Sequence, residues 1–321
     1  MYQINQLGVK IIMTSFAIVF YAFLLHSQVS REISVEVSDG TLFGTLYVAD
    51  TLHPTPVVLV IGGSGPVDRN MSPDNSYQML ADSLVAHGIS VLATDKRTAG
   101  KSKQHISGLE NTRFDDFVND AAAWTQQLLD NPNFSKVYLM GHSQGSLIAI
   151  LVAQKIKNVT GVISVAGAGQ RIQHILRKQL YDPPINKMLL ESFVEPIIDS
   201  MEHGVVTDSV HVMIKSIFRP ELQPFWMSWM AYNPADEISK LDIPCLIING
   251  DADFQVDTTE AEKLYLADTS KLLKVIPHMN HMMKYSSTIN KAQCIKESYN
   301  RPELPIMSEL VMELIKFIRK E

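Results

Sequence analysis

The stretch VYLMGHSQGSLIAI, residues 137–150, carries the strongest structural signal in this chain. The apolar run Val137–Met140 leads into Gly-His-Ser-Gln-Gly, and a further apolar run suited to a buried helix follows. A serine between two glycines at a sharp turn from strand to helix is the G-x-S-x-G arrangement that presents a nucleophilic hydroxyl. The same small residues also suit an ordinary tight turn. Ser143 is therefore a candidate nucleophile, whose role depends on whether the rest of the chain supplies a base, an acid and an oxyanion site.

Composition and charge narrow the classes of protein. The chain has 321 residues, of which 46% are hydrophobic and 19% charged, as in an ordinary globular protein. Its length suits one large α/β domain with an insertion. The net charge of −6, without a long basic run, argues against binding of nucleic acid. The cysteines, Cys245 and Cys294, lie in no C-x-x-C motif or Cys/His cluster, which argues against a structural zinc site and leaves a disulfide between them open.

Residues 1–28 differ in character from the rest of the chain. The run Ile11–Leu25 carries no charge and is shorter than the roughly 20 apolar residues of a membrane-spanning helix. This pattern predicts a signal peptide over residues 1–28, export of the protein, and a mature chain that begins near Val29. The cleavage pattern around Ser27 is poor, so an uncleaved N-terminal membrane anchor is the alternative.

The pattern of apolar residues predicts an α/β fold. Ser34–Val48 alternates apolar and polar residues around the turn pair Asp39-Gly40, which is typical of an antiparallel hairpin. After Pro54, short apolar runs alternate with helical stretches, which indicates a parallel sheet buried on both faces. The predicted strands are Val57–Ile61, Ser90–Ala93, Val137–Met140, Val162–Val165, Cys245–Ile248 and Leu272–Ile276, and the predicted helices include Tyr77–His87, Phe114–Leu129, Ser143–Ile156, Thr258–Ala267 and Glu303–Lys320.

One segment, residues 170–235, interrupts this alternation. It has no strand-like run, and its helical character predicts an insertion over the C-terminal edge of the sheet. It also contains an aromatic cluster, which either packs the insertion on the body or lines an acyl or alcohol pocket. The cluster consists of Phe225, Trp226, Trp229 and Tyr232.

A serine nucleophile needs a base and an acid, and these are expected at the carboxyl ends of the later strands. The run ending at residue 248 is followed by Asp251 and Asp253, and the run ending at residue 276 by His278 and His281. Asp251 directly follows a glycine and suits a turn, and His278 sits at the strand end, so Asp253 and His281 are the favoured candidates. The chain order Ser143, Asp253, His281 is the order of α/β-hydrolase triads. The side chain of His142, beside the serine, is expected to point away from the pocket.

An oxyanion site needs two backbone N–H donors. One candidate is Gln144, which follows the nucleophile. The other is Ser64, in the loop Gly62-Gly63-Ser64-Gly65, whose glycines allow a tight bend. This loop matches neither G-x-G-x-x-G nor a P-loop, so it is not expected to bind a phosphate. Asp68 and Arg69, further along the loop, are expected to form an ion pair that fixes it.

Five segments together resemble the EstD-like carboxylesterases, which are related to the serine aminopeptidase-like (S33) hydrolases. They are GGSGPVDRN (residues 62–70), ATDKRTAGKS (93–102), GHSQG (141–145), NPADEISKLDIPCLIINGDADFQV (233–256) and NHMMK (280–284). The resemblance implies an α/β-hydrolase fold over residues 29–321, with a mostly parallel central sheet, helices on both faces, an N-terminal antiparallel hairpin and a helical cap at about 170–235. It implies that Ser143, Asp253 and His281 are the triad and that the Ser64 and Gln144 amides bind the oxyanion.

The expected function is therefore hydrolysis of carboxylic esters with short acyl groups through an acyl-enzyme. No metal or organic cofactor is expected. The expected partner is a small-molecule ester, without nucleic acid, and with membrane contact only through an uncleaved N-terminal segment. An exported serine peptidase or aminopeptidase-like hydrolase is the enzymatic alternative, because fold and triad do not separate esters from amides. A catalytically silent binding protein of the same fold is the remaining alternative.

Overall fold

The computed structural model describes residues 29–104 and 111–320, and the predicted signal peptide, residues 1–28, lies outside them. Eight strands form one sheet in the order β1-β2-β4-β3-β5-β6-β7-β8. Strands β1, β2 and β4 pair antiparallel, and all other neighbours pair parallel. The predicted hairpin and parallel sheet are confirmed. The strands are β1 Val29–Val37, β2 Gly40–Val48, β3 Thr55–Ile61, β4 Ser90–Thr94, β5 Phe134–His142, β6 Gly161–Val165, β7 Cys245–Gly250 and β8 Leu272–Ile276.

Helices cover both faces of this sheet. Alternate residues of β3 show the division: Val57 and Leu59 are buried in one apolar core, and Val58 and Val60 in the other. The first core includes α2 and α3 with most of the 170–235 segment, and the second includes α1 and α11. The helices are α1 Ser76–Val85, α2 Phe114–Leu129, α3 Gln144–Lys155, α4 Ile172–Leu180, α5 Pro184–Glu202, α6 Lys215–Phe218, α7 Gln223–Met230, α8 Pro234–Ile238, α9 Thr258–Ala267, α10 Lys291–Ser298 and α11 Ser308–Arg319.

Two helices differ from the prediction. Helix α11 begins at Ser308 rather than Glu303, because Pro305 disfavours helical geometry in the residue before it. Helix α10 has no apolar stripe, and only Cys294 and Ser298 in it are buried, so its pattern gave no signal.

Residues 166–244, between β6 and β7, contain only helices as regular structure. Helix α7 packs on α2, and α8 packs on α3. The contact of α7 with α2 includes stacked rings of Phe114 and Trp229, whose centroids are 5.2 Å apart. The position of these helices agrees with an insertion against the body, whereas its limits as a cap unit stay a prediction.

Both cysteines are buried free thiols, so the disulfide left open by the sequence is not formed. Cys245 lies inside β7, where burial raises the pKa of its thiol to about 12. In the described part of the chain no helix has the length and apolar character needed to cross a membrane.

Candidate active site

Ser143 lies at the sharp turn between β5 and α3. Its backbone has φ 55° and ψ −119°, a conformation that a non-glycine residue rarely adopts. The turn also forces backbones into contact: a Cβ on Gly141 would lie 2.0 Å from the carbonyl oxygen of Gly145, and one on Gly145 would lie 2.1 Å from that of Ile61. The Ser143 amide donates to the carbonyl of Val165 at 2.8 Å, which holds the turn against β6. The two glycines are therefore needed for close packing around the serine.

Asp253 and His281 come together from loops after β7 and β8. Nδ1 of His281 lies 2.7 Å from Oδ2 of Asp253, and both side chains are buried. The other carboxylate oxygen of Asp253 accepts from the amides of Gln255 at 2.8 Å and Val256 at 3.0 Å. Because a carboxylate only accepts, Nδ1 carries the hydrogen, and Nε2 of the neutral ring is left unprotonated.

The rejected candidates have other partners. Asp251 is exposed, and its Oδ1 accepts from the amide of His278 at 2.6 Å. The ring of His278 is also exposed and lies against Tyr285, with centroids 5.4 Å apart. Both residues thus form the turn next to the Asp253–His281 pair without contacting it.

The loop after β3 brings Ser64 beside the serine turn. An ideal Cβ on Gly63 would lie 3.2 Å from Cβ of Ser143, so this loop touches the serine directly. Within residues 29–104 and 111–320, the amides of Ser64 and Gln144 donate to no acceptor. Both residues line a cavity together with Ser143. Neither predicted donor therefore has an acceptor in the described residues, and both residues share this cavity with Ser143.

The predicted ion pair between Asp68 and Arg69 is wrong. Asp68 begins a turn in which the Met71 amide donates to its carbonyl at 3.0 Å, and the two side chains find different partners. Asp68 accepts from the amides of Asn70 and Ser72 at 3.1 and 2.8 Å. Arg69 instead binds Asp95 through Nη2–Oδ2 at 2.6 Å and Nε–Oδ1 at 3.1 Å, which ties the loop to the end of β4.

A chain of buried hydrogen bonds links the Ser64 loop to the histidine loop. The amide of Gly63 donates to the Tyr77 hydroxyl at 3.3 Å, and this hydroxyl lies 2.9 Å from Nδ1 of His142. Nε2 of His142 lies 2.9 Å from the carbonyl oxygen of His281. Since a carbonyl only accepts, Nε2 carries the hydrogen and Tyr77 donates to Nδ1. Burial lowers the pKa of His142 to about 3, and the ring is neutral.

Lys96, after β4, is buried and lies directly behind the same loop. Its Nζ donates to the carbonyl of Gly63 and to Oε1 of Gln144, both at 2.6 Å. Lys96, Tyr77 and His142 contribute to the site although the sequence did not predict a role for them there. The only signal for Lys96 was a lysine two residues after an apolar strand, and nothing in the sequence marked Tyr77.

Two cavities meet at Ser64, Gln144 and Trp229. We call the smaller, about 50 Å³, the Ser143 cavity; it is lined by Ser143 and by aliphatic residues including Ile172 and Ile175. The larger, about 430 Å³, is the aromatic pocket, and its lining also includes Gly65 and Pro66 of the Ser64 loop. Its walls include Phe117, Leu222, Phe225, Trp226 and Trp229. In the described residues, no group of three or more His, Cys, Asp or Glu side chains could hold a metal ion.

Known proteins similar to this chain are hydrolases. Residues 71–210 match the family model described as serine aminopeptidase, S33. Esterase EstD of Thermotoga maritima is 25% identical over 265 residues, which cover 77% of this chain and 59% of EstD. The chain therefore matches less than two thirds of that relative's length. Lysophospholipase L2 of Escherichia coli is 34% identical over 93 residues, covering 28% of this chain and 27% of that protein.

Solved structures share the fold at low sequence identity. The esterase Est1E of Butyrivibrio proteoclasticus has a TM-score of 0.61 at 15% identity, covering 90% of this chain and 99% of that one. An esterase of Pyrococcus furiosus has a TM-score of 0.59 at 16% identity, covering 92% and 93%. The sheet order and these likenesses show that the chain has the α/β-hydrolase fold, and the family match and EstD show that it is similar to a group of esterases and S33-like hydrolases.

Proposed function

We propose that this protein hydrolyses carboxylic esters with Ser143 as nucleophile, His281 as base and Asp253 as the group that orients the base. The observation that carries the proposal is the 2.7 Å bond between His281 Nδ1 and Asp253 Oδ2. The ring centroid of His281 lies 4.8 Å from that of His142, the residue before Ser143, whose φ is 55°. The bond to Asp253 leaves Nε2 of His281 free to accept a proton from a hydroxyl. Esterases among the relatives support the same reaction class.

In the first half of the reaction, Nε2 of His281 takes the Ser143 proton while Oγ bonds to the ester carbonyl carbon. The negative charge that develops on the carbonyl oxygen is stabilised by the free amides of Ser64 and Gln144. The bond between the carbonyl carbon and the alcohol oxygen then breaks, and the imidazolium returns the proton to the leaving alcohol. In the second half, His281 removes a proton from water as the water oxygen bonds to the acyl carbon. The bond between that carbon and Oγ then breaks, and the imidazolium returns the proton to Oγ, which releases the acid and restores Ser143.

The two cavities suggest where the acyl and alcohol groups of the ester bind. The Ser143 cavity has room for a few heavy atoms, which suits a short acyl group. The aromatic pocket, about 430 Å³, is within the size range of sites for drug-sized ligands. We propose that the acyl group enters the Ser143 cavity and that a larger, apolar alcohol group enters the aromatic pocket. Trp229 lines both cavities and lies where the two halves of the ester would join.

Peptide hydrolysis is the second candidate, because the matched family model is named for a serine aminopeptidase. An aminopeptidase needs a carboxylate free to bind the substrate's terminal amine. The acidic residues of α5 do not meet this need: Glu195 and Asp199 pair with Arg177, and Glu191 pairs with Lys187. None of them lines either cavity. This favours ester over peptide substrates.

The test combines a fluorophosphonate probe with substrate panels. We expect the probe to label Ser143, shown by mass spectrometry, and the protein to hydrolyse p-nitrophenyl acetate and butyrate faster than the octanoate. Ser143→Ala should lower kcat by roughly 10⁴-fold or more, as in other serine hydrolases. Turnover of aminoacyl anilides but not esters would favour the peptidase. A folded protein that neither reacts with the probe nor turns over a substrate would be a binding protein, and the proposal would be wrong.

A further inference from the structure

The buried ammonium of Lys96 contacts both residues that supply the proposed oxyanion donors. Nζ donates to the carbonyl of Gly63 and to the side chain of Gln144, each at 2.6 Å. The ring of Phe117 also lies against Nζ, with its centroid 4.4 Å away. Burying a charged ammonium costs free energy unless it is hydrogen-bonded, so these partners fix the position of Lys96 Nζ.

The contact with Gly63 fixes the orientation of a peptide group. The carbonyl of Gly63 and the N–H of Ser64 belong to one planar peptide and point in opposite directions. Holding the oxygen toward Lys96 therefore holds the Ser64 N–H on the other side, away from Lys96. The preceding amide, Gly63 N–H, is fixed by Tyr77 at 3.3 Å. The segment before Ser64 is thus tied on both sides of Gly63.

The bond to Gly63 also changes the donor electronically. A hydrogen bond from an ammonium to a carbonyl is charge-assisted and polarises the whole peptide group. The Ser64 N–H on the far side becomes a stronger donor to an anion. The second bond, from Lys96 Nζ to Gln144 Oε1, holds the Gln144 side chain toward Lys96. The side chain is thereby kept out of the space in front of the Gln144 backbone N–H.

We propose that Lys96 is a positioning residue of the oxyanion site, which aligns and polarises the Ser64 amide through the Gly63 carbonyl and keeps Gln144 in place. This inference rests on the proposed function. It predicts that Lys96 acts on the transition state, in which the oxyanion exists, and hardly on binding of the uncharged ester.

Charge on Lys96 gives the proposal a pH signature. Burial lowers the pKa of Lys96 to about 7, and the attraction of Asp120 on α2 opposes the shift. Asp120 is itself paired with Arg97, through contacts of 2.6 and 2.8 Å. Above this pH the neutral amine still donates hydrogen bonds but polarises the peptide less. We therefore expect kcat to decline above about pH 7 in the wild type.

The decisive variant is Lys96→Met, which keeps the apolar stem and removes the donor. We expect kcat to fall roughly 30- to 100-fold with KM within about threefold, since loss of a whole oxyanion donor costs roughly 10²–10³. Affinity for a trifluoromethyl ketone, whose adduct with Ser143 carries an oxyanion, should fall in parallel with kcat. The decline of kcat above pH 7 should disappear. Addition of ethylamine to Lys96→Ala should restore part of kcat, because Lys96 lines the aromatic pocket.

Lys271→Met is the matched control. Lys271 is also buried and also donates to a main-chain carbonyl, that of Leu241, but it lies at the start of β8, at the other end of the sheet. Its replacement should lower stability and leave kcat, ketone affinity and pH profile unchanged. Lys96→Gln, which keeps one donor, is the second variant if Lys96→Met does not fold, and its kcat should fall about tenfold.

These measurements distinguish failure of the Lys96 proposal from failure of the proposed function. If the wild type hydrolyses esters and Ser143→Ala does not, the proposed function holds; an unchanged kcat, or equal losses in kcat and substrate binding, in the Lys96 variants would then overturn the Lys96 proposal alone. If the wild type has no Ser143-dependent esterase activity, the proposed function fails and the Lys96 proposal with it.

Discussion

Nδ1 of His281 donates to Oδ2 of Asp253 at 2.7 Å across 28 residues of chain. The carboxylate cannot turn away, because its other oxygen accepts the amides of Gln255 and Val256. The loop of His281 is shaped by buried Asn280, whose Oδ1 accepts from the amides of Met282 and Lys284 at 2.9 and 3.0 Å. Both partners are therefore held by their own loops before they meet, as a preorganised acid–base pair requires.

The bond between Asp253 and His281 predicts that Asp253, and not Asp251, is the acid of the site. Asp253→Asn should lower kcat by roughly 10³–10⁴, because an amide in place of the carboxylate favours the wrong histidine tautomer. Asp251→Asn should keep kcat within about threefold, since an asparagine Oδ1 can still accept from His278. Steady-state kinetics on p-nitrophenyl acetate measures both. A larger loss in Asp251→Asn would assign the acid to Asp251.

The link through Tyr77 predicts a loss of both stability and activity. Tyr77→Phe leaves the Gly63 amide and Nδ1 of His142 without partners, at a cost of roughly 1–3 kcal/mol in the free energy of unfolding. We also expect kcat to fall about tenfold, because the Gly62–Gly63 peptide, which precedes the Ser64 amide, loses its bond to Tyr77.

Tyr138→Phe is the control for this variant. The Tyr138 hydroxyl donates to the carbonyl of Ile318 at 3.0 Å, away from the site. Urea denaturation should show a comparable loss of stability, and kcat should stay at the wild-type value. An equal fall of kcat in both variants would mean that Tyr77 acts through stability only.

The serine turn predicts a steric effect. Gly145→Ala would place a Cβ 2.1 Å from the backbone oxygen of Ile61, so α3 must move away from β3. We expect the free energy of unfolding to fall by at least about 3 kcal/mol, or the protein to become insoluble. Gly62→Ala meets only the side chains of Val67 and Lys96, at 3.3–3.6 Å, and should cost much less in the same denaturation experiment. Equal stability of the two variants would contradict the structure of the turn.

The aromatic pocket predicts a change in selectivity. Trp226 lines the pocket and is held by a bond from Nε1 to the carbonyl of Ile217 at 2.8 Å. Trp226→Ala should lower kcat/KM for phenyl acetate roughly tenfold and leave methyl acetate nearly unchanged, because only the larger alcohol reaches this wall. Phe193→Ala removes a ring that is stacked on His211 outside the pocket, and it should leave kcat/KM unchanged for both esters. Parallel losses with both esters would place the alcohol elsewhere.

Lys96 also links stability to pH. Its ordinary pKa of 10.5 applies to the unfolded chain, and burial lowers the pKa to about 7 in the folded protein. Below pH 7 both states are protonated, and the folded state bears the full cost of the buried charge. Between pH 7 and 10.5 only the unfolded state keeps the proton, so the folded state gains stability as pH rises.

Guanidinium denaturation at pH 6 and pH 9 tests this linkage. The stability of the wild type relative to Lys96→Met should increase by about 3 kcal/mol over this interval, because other groups titrate equally in both proteins. A constant or decreasing difference would show that the buried lysine keeps an ordinary pKa.

The sequence by itself determined the fold class and the chain order of the chemical groups. Continuous apolar runs predicted the parallel strands, because a strand buried on both faces needs them. The G-x-S-x-G turn and the residues after the last two strands indicated Ser143, Asp253 and His281, because the carboxyl ends of parallel strands share one edge. The sequence did not predict the polar helix α10 or the correct start of α11, since neither is marked by apolar periodicity.

Only the tertiary structure decided which polar groups contact one another. Arg69 binds Asp95 rather than its neighbour Asp68, since the loop directs adjacent side chains apart. Gly63 lies between Lys96 and Tyr77, and His142 contacts the backbone of His281, although long stretches of chain separate these residues. Such contacts depend on distances of 2.6–3.3 Å between atoms on different elements, which packing of the folded chain sets and local sequence pattern does not encode.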